Sequence, residues 1–355
     1  MNPIEKLQKK LSELFIDAFL VLDETNMKYL TDFNLTAGDG CVLVTPKITY
    51  MITDARFEAA LSELDLPGIQ AIITRDYFGA VAELSAKLQI EAVGIEDTIT
   101  LRDYDVLVDQ VAADIDSFEN IVESLRAVKS PLEIEKLTVS AELNSAGFEY
   151  LIKNIKVGMT ELDAANLLDA WMKSHGAQKS SFETIVASGI NSAKPHATAS
   201  HKIIEHGDLV VIDFGYFVDG YTADITRTVV MGEIDDELNL IYQTVYQALN
   251  AVTALAKNNI DGADLDDTGR NIIEAAGYGK NFNHGMGHGI GMSVHELPTS
   301  YGPNSKIKLK QQQVITVEPG IYLSGKGGVR IEDDILITEN GNRVLTTASK
   351  ELIIL

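Results

Sequence analysis

Cysteine is almost missing from this chain of 355 residues, with Cys41 its one example. A lone thiol has no internal partner, so a disulfide framework is excluded. Its place in the apolar stretch CVLV, residues 41–44, marks it as a small core hydrophobe. Long apolar runs are missing too. None approaches the roughly 20 residues that a membrane helix requires, so no membrane partner is expected. Positive charge is scarce, since 29 Lys and Arg stand against 52 Asp and Glu for a formal net charge of -23. A surface this acidic repels phosphate, and no basic cluster offsets it, which argues against a nucleic-acid partner. The start, MNPIEKLQKKLSELF, alternates charge and hydrophobe at helical spacing and lacks the unbroken apolar core of a secretory signal. It reads as an ordinary first helix, and a cytoplasmic location is the expectation. What the chain does have is an ordinary globular composition, 45% hydrophobic and 23% charged. Single cores stop growing at about 250 to 300 residues, so two domains are expected.

From Leu11 to about Asn120, short β-type segments alternate with helical ones. FLVL (19–22), CVLV (41–44), ITYMIT (48–53), IQAIIT (69–74) and AVGIE (92–96) are strand candidates. ARFEAALSEL (55–64) and FGAVAELSAKL have helical spacing. The pattern predicts a small α/β domain with a mixed sheet and no Gly-rich phosphate loop. Ser130-Pro131-Leu132-Glu133 is a helix start with cap, first-turn proline and capping box, and its helix extends to about Ile152. The boundary falls in the segment before it, giving domains 1–125 and 126–355. Further helices are expected from Thr160 to before Gly176, over 236–257, and over 263–276 where Gly277 stops it.

After residue 130 the chain reads as two comparable halves. Each has helices followed by an apolar strand that ends in an acid, one residue and a glycine: LVVIDFG (209–215) and VITVEPG (314–320). Asp213 and Asp224 flank FGYFVDGYTA, and Glu318 and Glu332 flank PGIYLSGKGGVRI. Each stretch carries the turn residues of a strand-turn-strand unit that can set its two carboxylates side by side. A single such acid reads as a turn or surface carboxylate; two pairs starting from apolar strands do not. Between the pairs lies HGMGHGIGMSVHE, residues 284–296. Its alternating glycines disfavour a helix, and in extended chain His284 and His288 share parity and face one way. Glycine between them permits close approach of another backbone or a ligand. Four carboxylates with imidazole exceed a single tetrahedral zinc site and suit two divalent ions bridged by carboxylates, which can activate water and stabilise an oxyanion. The oxygen-rich donor set favours Mn or Co, with Zn also compatible.

The ordered set IDFGYFVDGYTADITRT, HGMGHGIGMSVHE, TVEPGIY and GGVRIEDD resembles the Xaa-Pro metallopeptidases, aminopeptidase P and prolidase. They belong to the pita-bread superfamily that includes methionine aminopeptidases and creatinase. The resemblance covers about residue 130 to the end, and the segment before it is similar to the family's N-terminal domain. It implies an α+β fold, with an N-terminal α/β creatinase-like domain and a C-terminal pita-bread domain with a pseudo-twofold repeat. It further implies a dinuclear site of Asp213, Asp224, His288, Glu318 and Glu332, bridged by Asp224 and Glu332. No ligand position departs from the family pattern, which disfavours a creatinase-like hydrolase or a metal-free binding protein.

The same resemblance places His196, in SAKPHA, and His295 on the substrate side, against the scissile carbonyl. His284 would shape the pocket, Arg330 would anchor the site through its planar guanidinium, and Glu318 would carry a proton to the leaving nitrogen. The implied activity is removal of the first residue before a proline by a homodimer acting on proline-containing peptides, with aminopeptidase favoured over dipeptidase. His175, His201 and His206 read as surface or loop residues, and Tyr216, Tyr221 and Tyr322 as hairpin packing. Gly-Lys-Gly-Gly at 325–328 lacks the spacing and the following helix of a phosphate loop.

Overall fold

A computed structural model describes every residue except 65 and 66. Residues Met1–Arg126 and Ala127–Leu355 form two compact units.

The first unit opens with α1 (Pro3–Leu14), held by a reciprocal capping box between Asn2 and Glu5. It continues through β1 (Ala18–Val21), α2 (Glu24–Thr31), β2 (Gly40–Val44), β3 (Thr49–Thr53), α3 (Glu58–Ser62), β4 (Ile69–Ile73) and α4 (Tyr77–Leu88). It ends with β5 (Ala92–Glu96), α5 (Leu101–Gln110), β6 (Asp114–Phe118) and α6 (Ile121–Arg126). The six strands form one mixed sheet in the order β4-β3-β2-β1-β5-β6. Strand β2 is antiparallel to β1 and β3, and the remaining neighbours are parallel. Leu20, Leu43, Ile52, Val93 and Ile95 pack with Val81, Leu84 and Leu107 of the helices. Cys41 sits among them, and burial pushes its thiol up to about 12.

Several elements differ from the sequence expectation, among them α2, α5 and α6, where no helix was named. The helix expected over 55–64 is confined to α3, because the Asp54 carboxylate accepts from the Arg56 backbone and side chain and makes a turn of residues 54–57. Strand β6, DIDSF, escaped notice because its acids mask the period; it is a sheet edge, where charge is expected to discourage foreign pairing.

The second unit contains α7 (Pro131–Asn154), α8 (Glu161–Ser174), β7 (Ile185–Ser188), β8 (Leu209–Phe214), β9 (Phe217–Val218), β10 (Tyr221–Thr222) and β11 (Ile225–Val230). After these come α9 (Asp236–Leu255), α10 (Gly262–Ala275), β12 (Gly287–Gly289), β13 (Glu296–Tyr301), β14 (Val314–Val317), β15 (Gly320–Leu323) and β16 (Gly327–Arg330). The chain closes with β17 (Asp333–Ile337), β18 (Asn342–Val344) and β19 (Ile353–Ile354). Two sheets result, β19-β11-β8-β7 and β13-β12-β14-β17-β18. The halves follow one plan. Two helices lead into an antiparallel trio, β7-β8-β11 in the first and β12-β14-β17 in the second. Each trio carries a small two-stranded ribbon, β9-β10 or β15-β16, inserted between its last two strands. The acid pairs therefore flank a second hairpin, where the sequence suggested a single turn.

Each half buries its helices against one sheet face. Phe148 and Leu151 of α7 and Leu168 and Met172 of α8 meet Val210, Ile212 and Phe214 of β8. In the second half Ile241, Val245 and Val252 of α9 meet Ile315, Val317, Ile335 and Ile337. Truncating Phe148 to alanine deletes a fully buried ring at the centre of the first core. It is expected to cost about 3 to 5 kcal/mol in a denaturant titration, and a loss below about 1 kcal/mol would contradict this packing.

Candidate metal centre

The site follows from strand parity. Side chains alternate across a strand, and Val210, Ile212 and Phe214 face the helices, so Asp213 faces the other way. By the same rule Ile225 and Val229 turn Asp224, Thr226 and Thr228 to that opposite face. In the second half Ile315 and Val317 leave Thr316 and Glu318 opposite, and Val329, Ile331 and Ile335 do the same for Arg330, Glu332 and Asp334. Two apolar faces thus dictate where four acids point. Asp213 lies near the end of β8 and Asp224 immediately precedes β11; Glu318 immediately follows β14 and Glu332 precedes β17.

Asp224, His288 and Glu332 each offer a ligand atom within 4.8 Å of the others. His288 Nε2 lies 3.5 Å from Glu318 Oε1 and 3.9 Å from Asp224 Oδ2. Its Nδ1 rests 3.1 Å from the Gly289 carbonyl, which leaves Nε2 for the cluster. The glycines around it carry out the close approach expected of them. A Cβ at Gly287 would collide with the Thr316 carbonyl, and one at Gly289 would come within 2.5 Å of the Leu297 backbone. His288 and His295 stack edge to face with ring centres 4.2 Å apart. His284 bonds Tyr322 through Nε2 at 2.9 Å and lies 3.9 Å from Glu318.

Two threonines and an arginine orient the acids. Thr226 donates to Glu332 Oε2 at 2.6 Å and accepts from Arg330 Nε at 3.1 Å. Thr316 donates to Glu318 at 3.3 Å and accepts from the His288 amide at 3.0 Å. Arg330 pairs with Asp213 and also donates to the Tyr322 hydroxyl at 2.8 Å and the Pro195 carbonyl at 3.2 Å. Tyr322 is thus a hydrogen-bonded member of the site rather than only hairpin packing. Behind the cluster Asp334 accepts from the Asp224 amide at 3.0 Å. Arg227 bonds the Glu332 carbonyl and, at 2.7 Å, Asp333. The sequence reading missed Thr226, Thr316, Arg227 and Asp334, although parity with the acids was a signal for all but Arg227.

All the residues singled out in the sequence, His196, Asp213, Asp224, His284, His288, His295, Glu318, Arg330 and Glu332, line one cavity of about 290 Å³ together with Phe182, Ile185 and Val294. His175 caps α8 and stacks on Trp171; His201 and His206 are exposed and take no part. Gly325 turns the β15-β16 ribbon with a positive φ, and Lys326 pairs with Asp235 and Glu237.

The electrostatics call for a cation. Burial, then the charge of Glu332 and Asp213, holds the Asp224 carboxyl well above its ordinary range. Burial, then Glu318 and Asp213, does the same to Glu332. Burial raises Glu318 to about 7. Burial lowers His288 to about 4, with His295 adding to the effect, and lowers His284 to about 4. Asp213 Oδ1, Asp224 Oδ1 and Glu332 Oε1 are buried without a hydrogen-bond partner among the described residues. Such oxygens are costly unless a cation meets them. Hard oxygens plus a neutral imidazole fit a divalent ion of the Mn, Co or Zn class.

Stability should then depend on pH and metal together. Without metal, the carboxyls keep protons that the unfolded chain releases near 4.5 for Glu, so their contribution is complete below that value and is lost as pH rises, for Glu318 through about 7. His284 and His288 act oppositely, with a contribution present above 6.5 and lost as pH falls towards about 4. Between 6.5 and about 8 the contribution of these two histidines is largely complete, while Glu318 still gives up its proton through about 7. Melting in chelator should therefore occur at lower temperature as pH rises from about 6.5 to about 8, and Mn²⁺ should remove that decline. A metal-free protein that gains stability over this range would contradict the cluster.

Both units of the chain have counterparts among known proteins. Residues 135–339 match the model of metallopeptidase family M24, and residues 3–128 match the creatinase/prolidase N-terminal domain. The chain is 36% identical to an Xaa-Pro dipeptidase of Pyrococcus horikoshii, over 99% of this chain and 98% of that one. It superposes on the structure of an Xaa-Pro dipeptidase from Bacillus anthracis with a TM-score of 0.95 at 39% identity, covering 99% of both chains. An X-Pro aminopeptidase structure from Thermotoga maritima matches with a TM-score of 0.92 at 33% identity, covering 100% of both. The chain therefore belongs to metallopeptidase family M24, with a creatinase/prolidase-type domain ahead of the catalytic one.

Proposed function

We propose that this protein is an exopeptidase that uses two divalent ions to hydrolyse the bond between a first residue and a following proline. The observation that carries the reading is the convergence of four carboxylates and His288 with three buried carboxylate oxygens left without a partner. Asp213, Asp224, His288, Glu318 and Glu332 would hold the ions. Bound there, divalent ions supply a water acidified to near neutrality and offset charge developing on the carbonyl oxygen.

The chain's own residues do the rest. Among the four acids Glu318 is the most open to the cavity, with its side chain 18% exposed against 11% for Asp213 and 7% for Asp224. It is placed to take a proton and return it to the leaving nitrogen. That return is obligatory here, because the nitrogen before proline carries no hydrogen and must be protonated to leave. Burial, then His196, lowers the His295 pKa and so favours the neutral ring, whose N–H can donate to a carbonyl oxygen. His196 offers a second donor from the opposite loop. Arg330 holds Asp213 while its other nitrogen grips the loop beside His196. Phe182, Ile185 and Val294 supply an apolar wall for a pyrrolidine ring.

The sequence leaned towards an aminopeptidase. The names of its relatives favour a dipeptidase as strongly, since those at 36% and 39% identity are both Xaa-Pro dipeptidases. We take the dipeptidase reading first, with the aminopeptidase reading supported by the Thermotoga maritima relative. Purified protein loaded with Mn²⁺ should cleave Ala-Pro and leave Ala-Pro-Ala intact. Cleavage of the tripeptide would install the aminopeptidase, and failure to cleave either with Mn, Co or Zn would remove the proposal. Glu318→Gln should lower turnover of the cleaved substrate by about 10² to 10⁴, and near-normal turnover would take the proton transfer away from Glu318.

A further inference from the structure

Among the described histidines of the cavity, His196 has neither a hydrogen bond nor a ring contact to hold its side chain; His295 also lacks a hydrogen bond but stacks on His288. His284 is fixed by Gly285 and Tyr322, and His288 by Gly289, whereas the exposed His196 ring makes no side-chain hydrogen bond to a described residue. Its position is therefore set by the backbone of segment 189–199, a short 3-10 turn followed by irregular chain. Glu161, the first residue of α8, is fully buried and lies at both ends of that segment. Its Oε1 accepts from the Ser188 amide at 2.7 Å, the Ser188 hydroxyl at 2.8 Å and Asn191 at 3.1 Å. Its Oε2 accepts from the Ser200 amide at 3.1 Å and the Ser200 hydroxyl at 2.6 Å. The helix start adds bonds in the other sense. Glu161 and Leu162 donate their free first-turn amides to the carbonyls of Lys202 and Ser200, each at 3.0 Å.

We infer that Glu161 is a positioning residue that closes this loop and thereby aims His196 at the cavity. The inference rests on the hydrolytic reading for what His196 does, but the clamp itself is independent of it. Burial alone would raise the Glu161 pKa, and the donors of Ser200, Ser188 and Asn191 outweigh it, so the group is held below its ordinary range. It is purely an acceptor. Between its ends the loop is pinned twice more, by the Gly328 amide on Ser192 Oγ at 2.8 Å and by Arg330 on the Pro195 carbonyl at 3.2 Å. Both contacts come from strand β16, which packs against the loop. Without the Glu161 carboxylate the loop would keep these two contacts, the backbone bonds of the α8 start to Ser200 and Lys202, and the Lys202 ammonium on the Ser188 hydroxyl, but would lose the one group that holds the amides of both its ends.

Glu161→Gln is informative because both carboxylate oxygens face backbone N–H groups. An amide can accept on one side only. Whichever way it is turned, its NH₂ confronts the amide of Ser188 or of Ser200, and one end of the loop is released.

Three measurements test this. In an Xaa-Pro assay with Mn²⁺, Glu161→Gln should lower kcat by about 10- to 100-fold, with KM changed far less, as expected for a misplaced group at the reacting bond. In a His196→Ala background the same substitution should cost less than about threefold, because the residue it acts through is gone. Equal factors in both backgrounds would overturn the proposal. Hydrogen exchange should show residues 189–200 losing protection by about tenfold or more in Glu161→Gln, with Mn²⁺ affinity by calorimetry unchanged. Unaltered protection would also overturn it. If Glu161→Gln does not fold, Ser200→Ala, which removes one donor, should show the same pattern at smaller size, and its absence there counts against the clamp. A wild-type protein that cleaves no Xaa-Pro peptide would sink the hydrolytic reading alone, and the exchange measurement would still decide the clamp.

Discussion

Four carboxylates pressed into one buried cavity repel one another, and the second unit is arranged around that repulsion. Asp213, Asp224, Glu318 and Glu332 come from the ends of four strands in two sheets, so no local change of one strand relieves the strain. The protein supplies a cation of its own in Arg330, but the guanidinium reaches Asp213 and not the far side of the cluster. Burial works against its charge, and Tyr322 and Asp213 outweigh burial. The remaining oxygens look to a bound metal. The same mismatch that destabilises the metal-free fold is thus what gives the site its affinity, because a divalent ion recovers the electrostatic cost that folding imposes.

Such a cluster can only be held by elements that cannot move. Each acid projects from a sheet whose other face is covered by apolar helices, and cores of this density resist adjustment. Thr226 and Thr316 then fix the rotation of Glu332 and Glu318 by donating to one oxygen and leaving the other free. Arg227 and Asp334 hold backbone, at Glu332 and Asp224, rather than the acids themselves. Orientation is therefore layered, with sheet parity choosing the face and hydrogen bonds choosing the angle.

This layering explains what could be read in the sequence. The faces were legible, because LVVID and VITVE announce strands by apolar alternation and place their acids at fixed parity. The helices at 131–154 and 161–174 were legible from their caps. Glycine spacing around His288 disclosed close backbone approach, and the structure gives its object, the backbones of Thr316 and Leu297. What stayed hidden is what depends on pairing between distant segments. Nothing local distinguishes Thr226 from Thr228, yet register sets the first against Asp213 and beside Glu332. Tyr322 looked like packing because its partners, Arg330 and His284, lie across a ribbon and a sheet. Strand β6 was hidden for the opposite reason, its acids answering to the exposed edge of a sheet and not to any site.

The cavity also divides its work by backbone type. Groups placed to hold metal stand on strands or directly at their ends, where position is over-determined; His196 stands on a loop, where few contacts determine it. A group on a loop gains from a tether that is local and polar rather than packed. Arg330 ties the two regions, since one nitrogen reaches Asp213 and another the carbonyl next to His196. Of the 52 acids in the chain, then, few bear on chemistry, and those act through where strands and one arginine put them; the net charge of -23 tells only of the surface.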